Sequence, residues 1–93
     1  MARLYHVSLR FEVIPTSEDI PKLEAQFSEI GDWMRFSALS WLVSSRLNPT
    51  QIRDKLRLTL KPADHLLVLE VNTTGADGWA LPWVWEWIRS RSS

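Results

Sequence analysis

The chain has no cysteine. Disulfides, zinc–thiolate sites, iron–sulfur clusters and thiol nucleophiles are excluded, and nothing opposes a reducing, cytoplasmic location. Histidine is nearly as scarce: His6 and His65 are the two present, and neither lies in a catalytic or metal-ligand motif. Three glycines and five prolines in 93 residues are too few for a fibrous or low-complexity chain. Glycine-rich phosphate loops, HExxH and GxSxG are all absent, which removes nucleotide cradles and the common hydrolase signatures. No apolar run approaches the roughly 18 residues that span a bilayer, and Met1 to Arg10 carries charge in place of a signal-peptide core. No membrane partner is expected. Net charge is absent too, with 11 basic and 11 acidic side chains, so no global field draws in nucleic acid or anionic lipid.

What remains is a chain with 45% apolar and 11% aromatic residues. It reads as one domain, residues 1–93, whose thin core buries roughly 60–65% of the unfolded surface. A homodimer is a natural way to complete such a core. Charge is unevenly placed. Up to Ser45 the acidic residues outnumber the basic ones, whereas Arg46, Arg53, Lys55, Arg57 and Lys61 face only Asp54 in the stretch 46–61.

Leu4 to Val13 alternates, with Tyr5, Val7, Leu9, Phe11 and Val13 on one face, and predicts a strand ended by Pro15. Thr16, Ser17 or Asp19 can cap the helix that follows, with Pro21 tolerated in its first turn. Ile20, Leu23, Phe27 and Ile30 form its apolar stripe, and Gly31 stops it. Trp33 to Phe36 and Ser40 to Arg46 predict two short strands or one kinked strand. Asn48, Pro49 and Gln51 supply N-cap, N1 and N3 chemistry for a second helix carrying Ile52, Leu56 and Leu60 and ended by Pro62. His65 to Asn72 predicts a strand buried on much of both faces. Thr73 to Gly78 is a loop, and Pro82 opens a C-terminal Trp-rich segment, a short strand or a helix through about Arg89, before a frayed Ser/Arg tail. The order is βαββαβ, an α+β, ferredoxin-like pattern in which two helices cover one face of an antiparallel sheet.

Chemistry-bearing features are few. On the second helix Arg53, Arg57 and Lys61 are spaced by four and line one stripe, which can track a phosphate backbone or simply face water. Six Trp are the compositional outlier, and Trp79, Trp83, Trp85 and Trp87 cluster near the end of the chain beside Leu81, Val84 and Ile88. Packing at a dimer seam is the expected use, and stacking on unpaired bases the alternative. Glu18 and Asp19 are expected to complement a helix dipole, and no metal or other cofactor is expected.

Three segments, Trp41-Leu42-Val43, Leu47-Asn48-Pro49-Thr50-Gln51-Ile52-Arg53-Asp54-Lys55-Leu56 and Asp64-His65-Leu66-Leu67-Val68-Leu69-Glu70-Val71, occur in that order. Together they resemble the SinR-like branch of the CRISPR-associated Cas-two family. The resemblance implies a ferredoxin-like homodimer joined through sheet edges and C-terminal segments. Its members include metal-dependent nucleases, structural subunits of spacer acquisition and RNA-cleaving antitoxins. The nucleases of that family carry an Asp at the end of the first strand, facing its mate across a metal-binding cleft. Here Ser8-Leu9-Arg10-Phe11 falls at that place and puts Arg10 at the acidic position. A guanidinium cannot ligate magnesium, which requires oxygen donors. The implied function is therefore a nucleic-acid-binding or antitoxin-type accessory without metal-dependent cleavage, binding RNA or DNA through Arg10, Arg35, Arg53, Arg57 and Lys61. Two alternatives stay open: a protein-interaction module built on the Trp-rich tail, and an endoribonuclease using His6 with Arg10 or Arg35.

Overall fold

Alternation places Tyr5, Val7 and Leu9 on one face of β1, which spans Arg3–Arg10 in a computed structural model that describes residues 1–91. The apolar alternation continues to Val13, but the strand stops earlier. The Asp64 carboxylate takes the Glu12 backbone N–H at 3.0 Å and draws the chain away from the sheet. Helix α1 covers Asp19–Ile30 with Leu23, Phe27 and Ile30 buried, as the stripe requires. Its N-cap residue is Glu18, which makes no side-chain capping bond; Asp19 instead accepts the Thr16 N–H at 2.8 Å.

No loop separates α1 from β2, Gly31–Ser37. Gly31 donates its N–H to the Phe27 carbonyl and begins the strand in extended backbone. A short turn at 38–39 leads to β3, Ser40–Ser45, which settles the region as a hairpin with a register shift between Arg35 and Ser37. Helix α2, Pro49–Arg57, opens on a complete capping box: Asn48 accepts from the Gln51 N–H at 2.8 Å, and Gln51 accepts from the Asn48 N–H at 2.9 Å. Expected to run to Pro62, α2 ends at Arg57. Leu58, Thr59 and Leu60 bond to carbonyls three residues back, a tightened exit that carries Lys61 off the helix. Strand β4, His65–Glu70, a short 3-10 turn at Thr73–Gly75 and helix α3, Pro82–Arg91, complete the chain. The Trp-rich segment is thus a helix; Ser92 and Ser93, the end of the expected frayed tail, lie outside the described residues.

The four strands form one antiparallel sheet in the order β2-β3-β1-β4. With α1 and α2 on one face, this is the ferredoxin-like α+β fold. Trp41 is fully buried under α1, stacked on Phe27 with ring centroids 5.1 Å apart. Tyr5, Val7, Val43, Ile52 and Leu56 complete that layer, each worth roughly 1.5–3 kcal/mol of burial for its larger side chains. Two buried hydroxyls are paired across elements: Tyr5 donates its own to the Leu47 carbonyl at 2.9 Å. Ser45 donates to the Ile30 carbonyl at 2.8 Å and accepts from the Leu47 N–H at 3.1 Å.

The opposite face is covered only in part. Helix α3 lies against it with Val84 buried, Trp85 near His6 and Leu42, and Arg91 reaching Asp32 on β2 at 3.5 Å. Strand β4 departs from the expectation of burial on both sides. Leu66 and Val68 pack toward the core, but Leu67 and Leu69 remain 62% and 55% exposed because α3 does not reach them.

Candidate functional site

The β1–β4 register sets Arg10 directly opposite His65 and Ser8 opposite Leu67. Residues paired in this way share a sheet face. Strand β4 is an edge of the sheet, and around that edge the face of Arg10 and His65 meets the flank of α2, which packs on the other face; an open groove of about 590 Å³ there is lined by Arg10, His65, Arg53 and Arg57. The two helix residues are one turn apart and present both guanidinium groups along the same side. Three of the five expected basic residues therefore converge, although Arg10 lies more than forty positions from the other two in the chain.

Their charges are differently committed. Arg53 bonds Asp54 through Nε at 3.1 Å and through a terminal nitrogen at 2.9 Å, both residues being half open to water. Such an exposed pair is worth about 0.2–1 kcal/mol and is readily exchanged for another anion. Among the described residues, Arg10 and Arg57 make no ion pair. The acidic group beside the groove, Asp64, is already spent. Its carboxylate accepts the Lys61 N–H at 2.9 Å and the Glu12 N–H at 3.0 Å, and these bonds hold its pKa below the ordinary aspartate value. Asp64 thus pins the exit of β1 against the entry to β4, which fixes where Arg10 and His65 stand.

Two expected residues fall elsewhere. Lys61, beyond the end of α2, lines a small separate hollow with Asp19 and Asp64, so the three-residue helical stripe reduces to Arg53 and Arg57. Arg35 lies on the helix-covered face, its Nε and a terminal nitrogen bonded to the Ala38 carbonyl at 3.1 and 2.6 Å and its guanidinium 5.3 Å from the Trp41 ring centre. His6 lies on the other face, with Nε2 2.7 Å from Ser40 Oγ beneath α3. The sheet therefore separates His6 from Arg35. His6 and Arg10 share a face but stand four strand residues apart, about 13 Å.

The Trp residues also divide. Trp79 in the loop before α3 is fully exposed and Trp83 half so. Trp85 and Trp87 are half-buried, Trp87 with Arg91 4.4 Å above its ring. His65, which composition alone did not single out, enters the groove through its pairing with Arg10.

A divalent metal would need a cluster of oxygen donors, and the groove does not fit one: it holds three arginines and a single carboxylate, whose two oxygens each already accept a backbone N–H. Among the described residues no group of three or more histidines and acidic residues could hold a metal ion. Planar guanidinium groups suit oxyanions, phosphate above all.

No family model and no curated protein matches the chain. A solved structure, the crystal structure of a hypothetical protein TT1823 from Thermus thermophilus, superposes with a TM-score of 0.61 at 19% identity, covering 87% of this chain and 94% of that one. At that identity the likeness establishes the shared fold. No helix of the described residues is long and apolar enough to cross a membrane.

Proposed function

We propose that this protein is a non-catalytic nucleic-acid-binding accessory of the Cas-two, SinR-like type, working as a homodimer. The observation that carries the reading is the convergence of Arg10, Arg53 and Arg57 on one groove that offers phosphate three guanidinium groups and offers a metal no open carboxylate. Arg10 at the position where the family's nucleases carry Asp agrees with binding without cleavage. The dimer is supported by the outer edge of β4, which among the described residues has no strand beside it, and by the uncovered Leu67 and Leu69 next to that edge.

The test is a fluorescence-anisotropy titration of single- and double-stranded RNA and DNA at two salt concentrations. The end products are then run on a denaturing gel with and without magnesium. Intact probes and affinity falling with salt, at about 0.7–0.9 log units per log unit of salt for each phosphate engaged, support the reading. The combined Arg10→Glu, Arg53→Glu and Arg57→Glu variant should abolish that affinity. Metal-dependent cleavage, or an unchanged affinity in the triple variant, would overturn it. Light scattering at tens of micromolar protein tests the dimer, and a monomer there removes it.

A second reading, a protein-interaction module, is favoured by the fully exposed Trp79 together with the bare Leu67 and Leu69. Absence of any nucleic-acid affinity would make it the better account.

A further inference from the structure

Helix α3 does not seal the sheet face that it crosses. Between the helix, the loop before it and the strands lies a cleft of about 210 Å³ that the groove of cations does not include. Its walls are apolar and aromatic: Leu42 on the sheet, Phe36 at the β2–β3 turn, Trp85 on α3 and Trp79 at the mouth. Its polar groups are few. The His6 Nε2 and Ser40 Oγ pair, 2.7 Å apart, lies on the strand side, and Asp77 stands at the loop side with one carboxylate oxygen holding the Gly78 N–H at 2.7 Å. The volume limits the size of an occupant. An apolar cavity of about 150 Å³ accepts benzene, and pockets for drug-sized ligands begin at about 300 Å³. A single planar heteroaromatic ring system lies between these limits.

We propose that this cleft is a subsite for one unpaired nucleobase of a single-stranded chain whose phosphates lie in the Arg10 groove. The proposal rests on the nucleic-acid reading above and names the form of nucleic acid it takes. Two observations tie the cleft to the groove. His6, Ser8 and Arg10 alternate along one face of β1, so cleft and groove lie on a continuous surface. The span from His6 to Arg10, about 13 Å, is short enough for one extended strand to reach both. Phe36, Trp79 and Trp85 offer faces for stacking, and the His6, Ser40 and Asp77 polar atoms meet the edge of the base. A base locked in a duplex cannot enter.

The experiment compares two length-matched probes in anisotropy titrations, each in ribose and deoxyribose form. One is a mixed-sequence single strand; the other has the same backbone with a stable abasic sugar at every position. The base-bearing probe should bind about 5- to 150-fold more tightly, the range expected for one stacked base. Phe36 is 55% exposed and Trp79 fully so, and the double variant Phe36→Ala, Trp79→Ala should remove that advantage without changing the affinity for the abasic probe or the melting temperature. The double variant Arg53→Glu, Arg57→Glu should weaken both probes alike. If both probes bind the native protein equally, the subsite is overturned while the phosphate groove stands. If neither probe binds, the nucleic-acid reading fails and the subsite fails with it.

Discussion

Replacing Gly31 with alanine places a methyl carbon against the carbonyl oxygen of Ser44, with the Ser44 carbonyl carbon 3.0 Å and the Ser45 Cα 3.2 Å away. All three are backbone atoms of β3, so no side-chain rotation can relieve the contact. Either the β2–β3 pairing must open at Gly31↔Ser45 or α1 must tilt at its junction with β2, where no loop absorbs the shift. Overpacking of this kind typically costs about 1–3 kcal/mol, and for a domain of this size each kcal/mol lowers the melting temperature by about 4–8 °C. The expected fall in Gly31→Ala is therefore about 5–20 °C in a circular-dichroism melt. Gly75 provides a control of opposite sign. An added Cβ there meets nothing within 4 Å, and its φ is not positive, so Gly75→Ala should raise stability by about 0.4–1 kcal/mol through the unfolded state. A Gly31→Ala protein that melts within about 2 °C of the native chain would refute the collision argument.

Three further outcomes are expected. Trp41 is fully buried against Phe27, so Trp41→Ala should cost about 3–5 kcal/mol in urea unfolding. Among the described residues its indole Nε1 finds no acceptor, so Trp41→Phe should cost clearly less. Ser45→Ala leaves both the Ile30 carbonyl and the Leu47 N–H without their partner, an expected loss of about 1–3 kcal/mol by the same measurement. Asp64 has its pKa lowered, by the Lys61 N–H first and the Glu12 N–H second. Its contribution to stability is thus complete above the ordinary value of 3.8 and fades as the pH falls from there through the lower folded value. Asp64→Asn should flatten the acid limb of a melting-temperature profile below about pH 4; a limb of unchanged steepness would count against the assignment.

Local chemistry was readable wherever one short segment decides the outcome. Asn48, Pro49 and Gln51 announce the start of α2, and the capping box is there; Leu23, Phe27 and Ile30 announce the buried face of α1. The end of α2 was less legible because Leu60 continues the apolar spacing and Pro62, the nearest breaker, stands five residues past the observed end. The asymmetry of β4 escaped for a different reason. Leu66 to Leu69 are apolar on both sides, and only the reach of α3 decides which side is covered. The groove depends on register: spacing places Arg53 beside Arg57, but only the alignment of β1 with β4 brings Arg10 and His65 to them. Charge alone groups Arg35 with the other cations, but the strand order puts it on β2, at the opposite edge of the sheet from the β4 groove.

The strand order has a consequence for how the chain reaches its native state. Strand β1 is made first, yet it occupies an inner position whose two neighbours are β3 and β4, so Val7 waits for Trp41 on one side and Val68 on the other. The β2–β3 hairpin, by contrast, closes across a short turn and can form early. Loop-closure entropy makes the β1–β4 pairing the slow step, because its reward arrives only after most of the chain has been ordered. A nascent or truncated chain that stops before His65 leaves β1 with a bare edge carrying Tyr5, Val7 and Leu9. Such an edge invites pairing with other chains, and the final third of the molecule is what retires that hazard.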